Sequence, residues 1–392
     1  MPLQTAIHLA DILVWLCMAG SIAYVLLFAL ASLLPERRRK VSDTKPSNIN
    51  QRSFLVLFPA YGEDSVILQS IKTFLKQEYP ADKYHVVVIS DHMRQETNEA
   101  LSALPITLLT PYFDKSSKAR AMQYAMANTH TATDHVIVLD ADNIVGTDFL
   151  YRLNLSCNQG YKAIQCHRCA KNADNDISML DGASEEINNT IFRKGHNRIG
   201  LPSALIGSGM CFDRKWFETN VTSLSTAGED RELEMLLLCQ KIYVRYEEDI
   251  HVLDEKVSNA DNFKRQRIRW MSAQFNSLLT MLPHIPHAIA SGNVWFIDKT
   301  IQQMLIPRSI LILLTTSIAI IMSAAAPLWS IKWWLLAAAL CLALLIATPR
   351  LLLTRSLLAR LTSLPHLAIH MLCGIRKIDK HNQDFTHTTH DK

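Results

Sequence analysis

Three stretches of this chain are apolar without a single charge, and between them short apolar runs alternate with polar segments. The uncharged stretches cover residues 12–34, 309–329 and 333–349. A bilayer core about 30 Å thick needs roughly 20 apolar residues in helical form, so each is read as a membrane-spanning helix, the third being the shortest. The first is not read as a cleaved leader, because no basic segment precedes it and no small-residue cleavage site follows it. The segment Trp329-Ser330-Ile331-Lys332-Trp333-Trp334, with its aromatic residues and one charge, is the expected loop between the second and third spans.

The region 53–275 has the pattern of an α/β domain. Phe54-Leu55-Val56-Leu57-Phe58 reads as a buried strand ended by Pro59. Asp64 or Ser65 then caps a helix whose Val66, Ile67, Ile71, Phe74 and Leu75 recur at helical spacing up to Tyr79-Pro80. His85-Val86-Val87-Val88-Ile89 is a second strand, an alanine-rich helix spans 117–128, and Val136-Ile137-Val138-Leu139 is a third strand. Apolar strands joined by helical crossovers of this length make a parallel, Rossmann-like half-sheet. The first turn is Pro59-Ala60-Tyr61-Gly62-Glu63 rather than Gly-x-Gly-x-x-Gly, so the dinucleotide fingerprint is absent. Further on, helices are expected over 149–157, 177–192 and 230–240, and strands over 163–169 and 204–212, the last carrying Gly207 and Gly209. Residues 278–290 and 357–375 have interrupted apolar faces that suit helices lying in a membrane interface, with a core helix as the even alternative for 278–290.

These patterns divide the chain into an N-terminal transmembrane helix (1–35), a basic juxtamembrane linker (36–52), the α/β domain (53–275), an interfacial segment (276–300), two transmembrane helices (301–353) and an amphipathic tail (354–392). Arg37-Arg38-Arg39-Lys40 follows the first span, and Arg350, Arg355 and Arg360 follow the third. Both basic flanks belong on the cytoplasmic side. Three crossings then put the N-terminus outside, and the α/β domain and tail in the cytoplasm, in a multi-pass protein of the cell (inner or plasma) membrane. The formal net charge of +4 is too small to point to nucleic acid, and basic residues beside spans are explained by anionic lipid. The eight cysteines are scattered, which excludes a disulfide framework in a reducing compartment. Cys166-His167-Arg168-Cys169 resembles half a zinc site but lacks a second pair at suitable spacing.

The candidate chemistry sits at strand and helix ends. Asp140-Ala141-Asp142 emerges where the third strand stops, and ligands of parallel sheets bind beyond the carboxyl ends of strands. Two carboxylates one residue apart suit Mg²⁺ or Mn²⁺ shared with phosphate oxygens, and a metal there would neutralise charge on a departing diphosphate. Asp91 ends the second strand, where a ribose or base is held in such units. Lys118 begins the alanine-rich helix, where helix amides and dipole favour a phosphate. Glu229 and Asp230 follow Gly228 at another helix start, and Asp230 is the candidate base for removing a hydroxyl proton. Gln266-Arg267-Ile268-Arg269-Trp270 offers an amide, a planar cation suited to diphosphate and an indole suited to a sugar ring.

The ordered set resembles glycosyltransferase family 2, in the membrane-embedded branch that contains cellulose, chitin and hyaluronan synthases. That family's isolated Asp, Asp-x-Asp, Thr-Glu-Asp and Gln-x-x-Arg-Trp are matched by Asp91, Asp140 with Asp142, Gly228-Glu229-Asp230, and Gln266 with Arg269 and Trp270. Pro59-Ala60-Tyr61-Gly62-Glu63 is similar to its nucleotide-contacting first turn, and Ile206-Gly207-Ser208-Gly209-Met210 to its acceptor-lining strand. The resemblance spans 53 to about 275. Gly228 replaces the family's threonine and Gly62 its usual asparagine.

The resemblance implies a GT-A (Rossmann-like) α/β domain beside the transmembrane helices, and an inverting transfer of sugar from a nucleotide sugar, expected to be a UDP-sugar, to a saccharide or lipid acceptor. Asp230 would be the base, with Glu229 beside it. Asp140 and Asp142 would hold Mg²⁺ or Mn²⁺, Asp91 and Glu63 with Ala60 and Tyr61 the nucleoside, and Gln266, Arg269 and Trp270 the diphosphate and closed pocket. Three spans are few for a polymer channel, which favours a short or lipid-linked product and leaves a homo-oligomer open. A processive polysaccharide synthase is one alternative. A non-catalytic scaffold is the other, and acids present at every expected position argue against it.

Overall fold

The computed structural model describes residues 3–36, 50–173, 175–226, 228–257 and 259–353. The α/β domain is built on one eight-stranded sheet. Its strands are β1 (Phe54–Tyr61), β2 (Tyr84–Asp91), β3 (Thr107–Leu109), β4 (His135–Val138), β5 (Ile144–Val145), β6 (Ala163–Ala170), β7 (Met210–Asp213) and β8 (Val244–Asp254), in the order β3-β2-β1-β4-β7-β6-β8-β5. The first four in that order are parallel, β7 runs against both β4 and β6, and β8 is parallel to β6. Phe54, Leu55, Val56 and Leu57 pair with β2 on one side and β4 on the other and are wholly buried, which is why this run is apolar on both faces.

Helices cover both faces. α2 (Ile67–Phe74), α3 (Gln95–Ser102) and α5 (Phe149–Asn158) bury Ile67, Ile71, Phe74, Leu101, Phe149 and Leu153 against Val56, Phe58 and Ile137. On the other face α4 (Lys118–Asn128), α8 (Arg214–Val221) and α9 (Glu229–Cys239) bury Met122, Trp216, Phe217, Leu233 and Leu237 against Leu55, Leu57 and Phe212. The Ser117 side chain accepts the Arg120 amide and so caps α4. Helix α6 (Asp176–Asn188), capped by Asn175, runs on through a π-helical segment, Asn189–Gly195, into a short turn α7 (His196–Arg198).

Three helices are long and apolar enough to cross a membrane, over Ile7–Ala31, Arg308–Ala325 and Pro327–Ala347. They belong to α1 (Leu3–Ala31), α13 (Arg308–Ala325) and α14 (Pro327–Ala347), and pack together through Met18, Ile22, Leu311, Trp333 and Leu340. The expected loop at 329–334 is not a loop. The chain reverses at Ala326-Pro327, with the proline at the first turn of α14, and Trp329 to Trp334 are helical. Lys332 made this stretch read as a break, but its ammonium pairs with Asp11 of α1, which also accepts from Trp333 Nε1 at 3.0 Å.

Three other expectations shift. The strand expected over 204–212 begins at Met210, because Gly207 and Gly209 take positive φ and bend the approach. Residues 276–300 hold the end of α10 (Ala260–Met281), the short helix α11 (Ile285–Ala290) and the start of α12 (Val294–Met304). This segment is two-faced: Met281, Ala288 and Phe296 pack on Leu238, while Leu279, Leu282 and Ile289 are exposed. The basic run 37–40 and the tail from 354 lie outside the described residues.

Candidate active site

Beyond the end of β4 the chain turns sharply. The Asp140 amide donates to Asn143 Oδ1 at 2.9 Å, and the Asn143 amide donates back to the Asp140 carbonyl at 3.1 Å. From behind the turn, Asn143 Nδ2 reaches both Asp142 Oδ1 (3.3 Å) and Asp254 Oδ1 (3.2 Å). Carboxylate oxygens of Asp140, Asp142 and Asp254 thereby come within 4.8 Å of one another. Asp254 ends β8, so the cluster joins two strand ends that are distant in sequence.

The charges around this trio are unevenly balanced. Arg168 of β6 donates from Nε to Glu185 Oε1 at 2.6 Å and lies 3.8 Å from Asp254 and 3.9 Å from Asp140. Lys256 pairs with Asp254 at 2.7 Å and with Glu185. Burial opposes ionisation of Asp254, but Arg168 and Lys256 outweigh it and hold that carboxyl far below the usual range. Among the described residues, Asp142 has no cation of its own. Burial, then the Asp254 and Asp140 carboxylates, push it up to about 8. Three carboxylates crowded this closely repel one another, a repulsion a divalent cation would relieve, so the donor set fits Mg²⁺ or Mn²⁺.

Across the turn, Lys118 donates to the Gly207 carbonyl at 2.7 Å, pairs with Asp140, and lies 3.9 Å from Glu229. Burial works against its charge, yet the Asp140 and Glu229 carboxylates prevail and raise it. Gly207, at φ +80°, brings bare backbone to this point: a Cβ there would sit 3.8 Å from Glu229 Oε1, 3.9 Å from Asp230 Oδ2 and 4.0 Å from Lys118 Nζ. Burial, partly offset by Lys118 and reinforced by Asp230, pushes Glu229 up to about 7. Asp230 is partly exposed, and its Oδ1 accepts the Arg231 amide at 2.9 Å.

At the neighbouring strand ends, Tyr61 pairs in register with Asp91, and the Gly62 amide donates to the Asp91 carbonyl at 3.0 Å. Asp91 is buried and its Oδ1 lies 2.6 Å from His92 Nδ1. The His92 ring stands 5.0 Å from Tyr61 and 6.5 Å from the exposed Tyr112, forming an aromatic edge beside the carboxylate. Ala60 turns its side chain into the core, and the Glu63 carbonyl accepts from the first amides of α2. Gln266, Arg269 and Trp270 lie on α10, which abuts the start of α9: a Cβ on Gly228 would meet the Ala273 Cβ at 3.7 Å. Trp270 lies under the guanidinium of Arg267, 4.8 Å away, and Gln266 Oε1 is buried without a partner among the described residues.

The structure therefore gathers Lys118, Asp140, Asp142, Glu229 and Asp230 around Gly207 and sets Tyr61 and Asp91 at the adjoining strand ends. It adds Asn143, Arg168, Glu185, Asp254 and Lys256, which reading the sequence missed. Asp254 carried a signal, since Ile250-His251-Val252-Leu253-Asp254 is one more strand ending in an acid. So did Arg168, a cation inside the mostly buried strand Ala163–Ala170, which drew attention only for its flanking cysteines.

This arrangement of a mixed sheet with acids at the strand ends is that of a GT-A glycosyltransferase. Residues 51–273, more than half the chain, match the family described as Glycosyltransferase like family 2, and the chain belongs to that family. That family is one of glycosyltransferases. Its fold is similar to that of the mannosyltransferase PcManGT from Pyrobaculum calidifontis, solved with GDP-Man and Mn²⁺, with a TM-score of 0.55 at 17% identity over 92% of this chain and 96% of that one. A curated relative, 4,4'-diaponeurosporenoate glycosyltransferase of Staphylococcus aureus (strain bovine RF122 / ET3-1), is 25% identical over 130 residues. That match spans 33% of this chain and 34% of the relative.

Proposed function

We propose that the protein is a membrane-embedded, inverting glycosyltransferase that moves a sugar from a nucleotide sugar, UDP being the nucleotide to test first, to a hydroxyl on a saccharide or lipid acceptor. The observation that carries this reading is the convergence of Asp140, Asp142 and Asp254 within 4.8 Å, beside the Lys118, Glu229 and Asp230 groups at Gly207. Asp142 and Asp140, with Asp254, would hold the divalent cation, which when bound would neutralise the charge on the leaving diphosphate. Asp91 and the Tyr61–His92 edge face the nucleoside. Asp230 takes the proton as the acceptor oxygen attacks the anomeric carbon and the nucleoside diphosphate leaves from the opposite face. Gln266, Arg269 and Trp270 close the diphosphate side of the pocket.

Glu229 is a second candidate base, favoured by a carboxyl pushed up to about 7, near an ordinary working pH. The three long apolar helices support a multi-pass topology, and the basic flanks after the first and third favour a cytoplasmic sheet domain. The test is to give the full chain, in lipid nanodiscs, a panel of nucleotide sugars with Mn²⁺ and to measure released nucleoside diphosphate. Release from one or a few donors, abolished by a chelator, is expected. Silence with every donor refutes the reading.

A further inference from the structure

Helix α6 carries an arrangement the transfer reaction does not explain. Arg267 of α10 pairs with the Asp181 carboxylate, and Arg308, the first residue of α13, donates from Nη2 to the Ser184 carbonyl at 3.0 Å and to its hydroxyl at 3.2 Å. Asp181 and Ser184 are three residues apart on α6, so the two guanidinium groups attach to neighbouring positions of one helix face. Among the described residues Asp181 pairs with Arg267, and Arg308 has the neutral Ser184 as its acceptor. Among the described residues, Arg267 Nε and Arg308 Nη1 are buried and have no acceptor. An uncompensated buried guanidinium with idle donors is costly, and an anion that accepts from both removes the cost.

Position narrows the anion. Arg308 opens the second long apolar helix, while Leu352, just beyond the third, packs on Leu180 and Ala183 of the same α6. The pair therefore lies level with the ends of two spans, where lipid headgroups stand. It also lies one helical turn from the donor site, because Glu185, which binds Arg168 there, is four residues after Asp181. Paired guanidinium groups match the oxygens of a phosphate in number and direction.

We propose that Arg267 and Arg308 seat the phosphate of the lipid acceptor, whose headgroup hydroxyl reaches Asp230. In the transfer, the bond from that hydroxyl oxygen to the anomeric carbon forms and the carbon–diphosphate oxygen bond breaks. The nucleoside diphosphate leaves with its electron pair, and the hydroxyl proton passes to Asp230. The assignment rests on the membrane-embedded glycosyltransferase reading.

The probe is dodecyl phosphate, titrated into the full chain in dodecyl maltoside, with native mass spectrometry and thermal melting as readouts. Saturable one-to-one adducts and a rise in Tm are expected, since the phosphate compensates a charge the fold leaves unpaired. Arg308→Gln should weaken binding about tenfold or more, Arg308→Lys should recover part of it, and Arg350→Gln, at an exposed site, should change nothing. Equal binding of inorganic phosphate overturns the lipid source, and wild-type protein that gives neither adduct nor Tm rise overturns the site even if Arg308→Gln fails to fold. The donor panel on the same sample separates the two readings, because donor turnover without dodecyl phosphate binding rejects only the arginine site.

Discussion

Asp142→Asn tests the cation site through stability as well as turnover. In the folded, metal-free chain this carboxyl is pushed from 3.8 up to about 8 by burial and by Asp254 and Asp140. Its folded pKa is raised, so between these two values the folded protein keeps a proton that the unfolded chain releases, and stability falls as pH rises. From pH 6 to pH 8 stability therefore falls by a little under 1.36 kcal/mol per pH unit, about 2 kcal/mol in all. Asparagine keeps the shape and removes the titration, so the chelator-treated variant should be the more stable protein, most clearly at pH 8, with Tm higher by a few degrees. Divalent cation binding displaces that proton, so Mn²⁺ affinity should rise as much as ~10-fold per pH unit up to about pH 8. Melting curves at pH 6 and pH 8, with chelator or Mn²⁺, give all four quantities for each protein. An Mn²⁺ shift of equal size at both pH values, or one that survives in Asp142→Asn, refutes this argument.

Four further outcomes are expected. Asp230→Asn should keep nucleotide-sugar affinity and lose ~10²- to 10⁴-fold in turnover, measured by nucleoside diphosphate release. A base works only when ionised, so its rate falls as pH drops through its pKa; an acid limb near pH 7 that disappears in Glu229→Gln would hand the role to Glu229. Gly195→Ala places a Cβ 2.3 Å from the Phe28 carbonyl oxygen, forcing α1 off the π-helical segment at a cost of about 1–3 kcal/mol, read as a lower Tm with donor affinity retained. In a cysteine-free background, Ala325→Cys, at the exposed reversal between α13 and α14, should react with an impermeant thiol reagent in intact cells, whereas Ser225→Cys should react only after lysis. Product mass at high donor excess should stop at one or a few added sugars in the lipid fraction; a ladder of long chains would favour a processive synthase.

Local signals made half of the site legible. Asp91, Asp140 and Lys118 sit where an apolar run ends or a helix begins, and period alone locates such places. Asp254 and Arg168 depend on pairing between β6 and β8, strands some eighty residues apart, which no local pattern encodes. The same limit explains the error at Lys332: read locally it breaks an apolar run, and only the packing of α14 on α1 supplies Asp11 as its partner. The strand expected over 204–212 failed differently. Its apolar residues are buried as a strand's would be, but Gly207 and Gly209 spend that segment on a left-handed approach to Glu229 and Asp230.

The donor site and the apolar helices are mechanically one object. Helix α9 carries Glu229 and Asp230 at its start, and the residues that follow them fix it to α12: Arg231 donates to Gln303 at 2.6 Å, and Glu234 pairs with Lys299 at 2.7 Å. Glu234 also accepts the Leu205 amide at 3.0 Å, two residues before Gly207, so the segment that approaches the acids hangs from the same carboxylate. Helix α12 leads directly into α13, and Gln274 of α10 donates to the carbonyls of Gln303 and Leu305 in that junction, at 3.0 Å each. A shift of α13 would thus move α9, α10 and the 204–209 segment together. That linkage gives the geometry of the proposed base and of the Gln266–Trp270 stretch a physical reason to depend on the surrounding bilayer, since both are anchored to the helix junction rather than to the sheet alone.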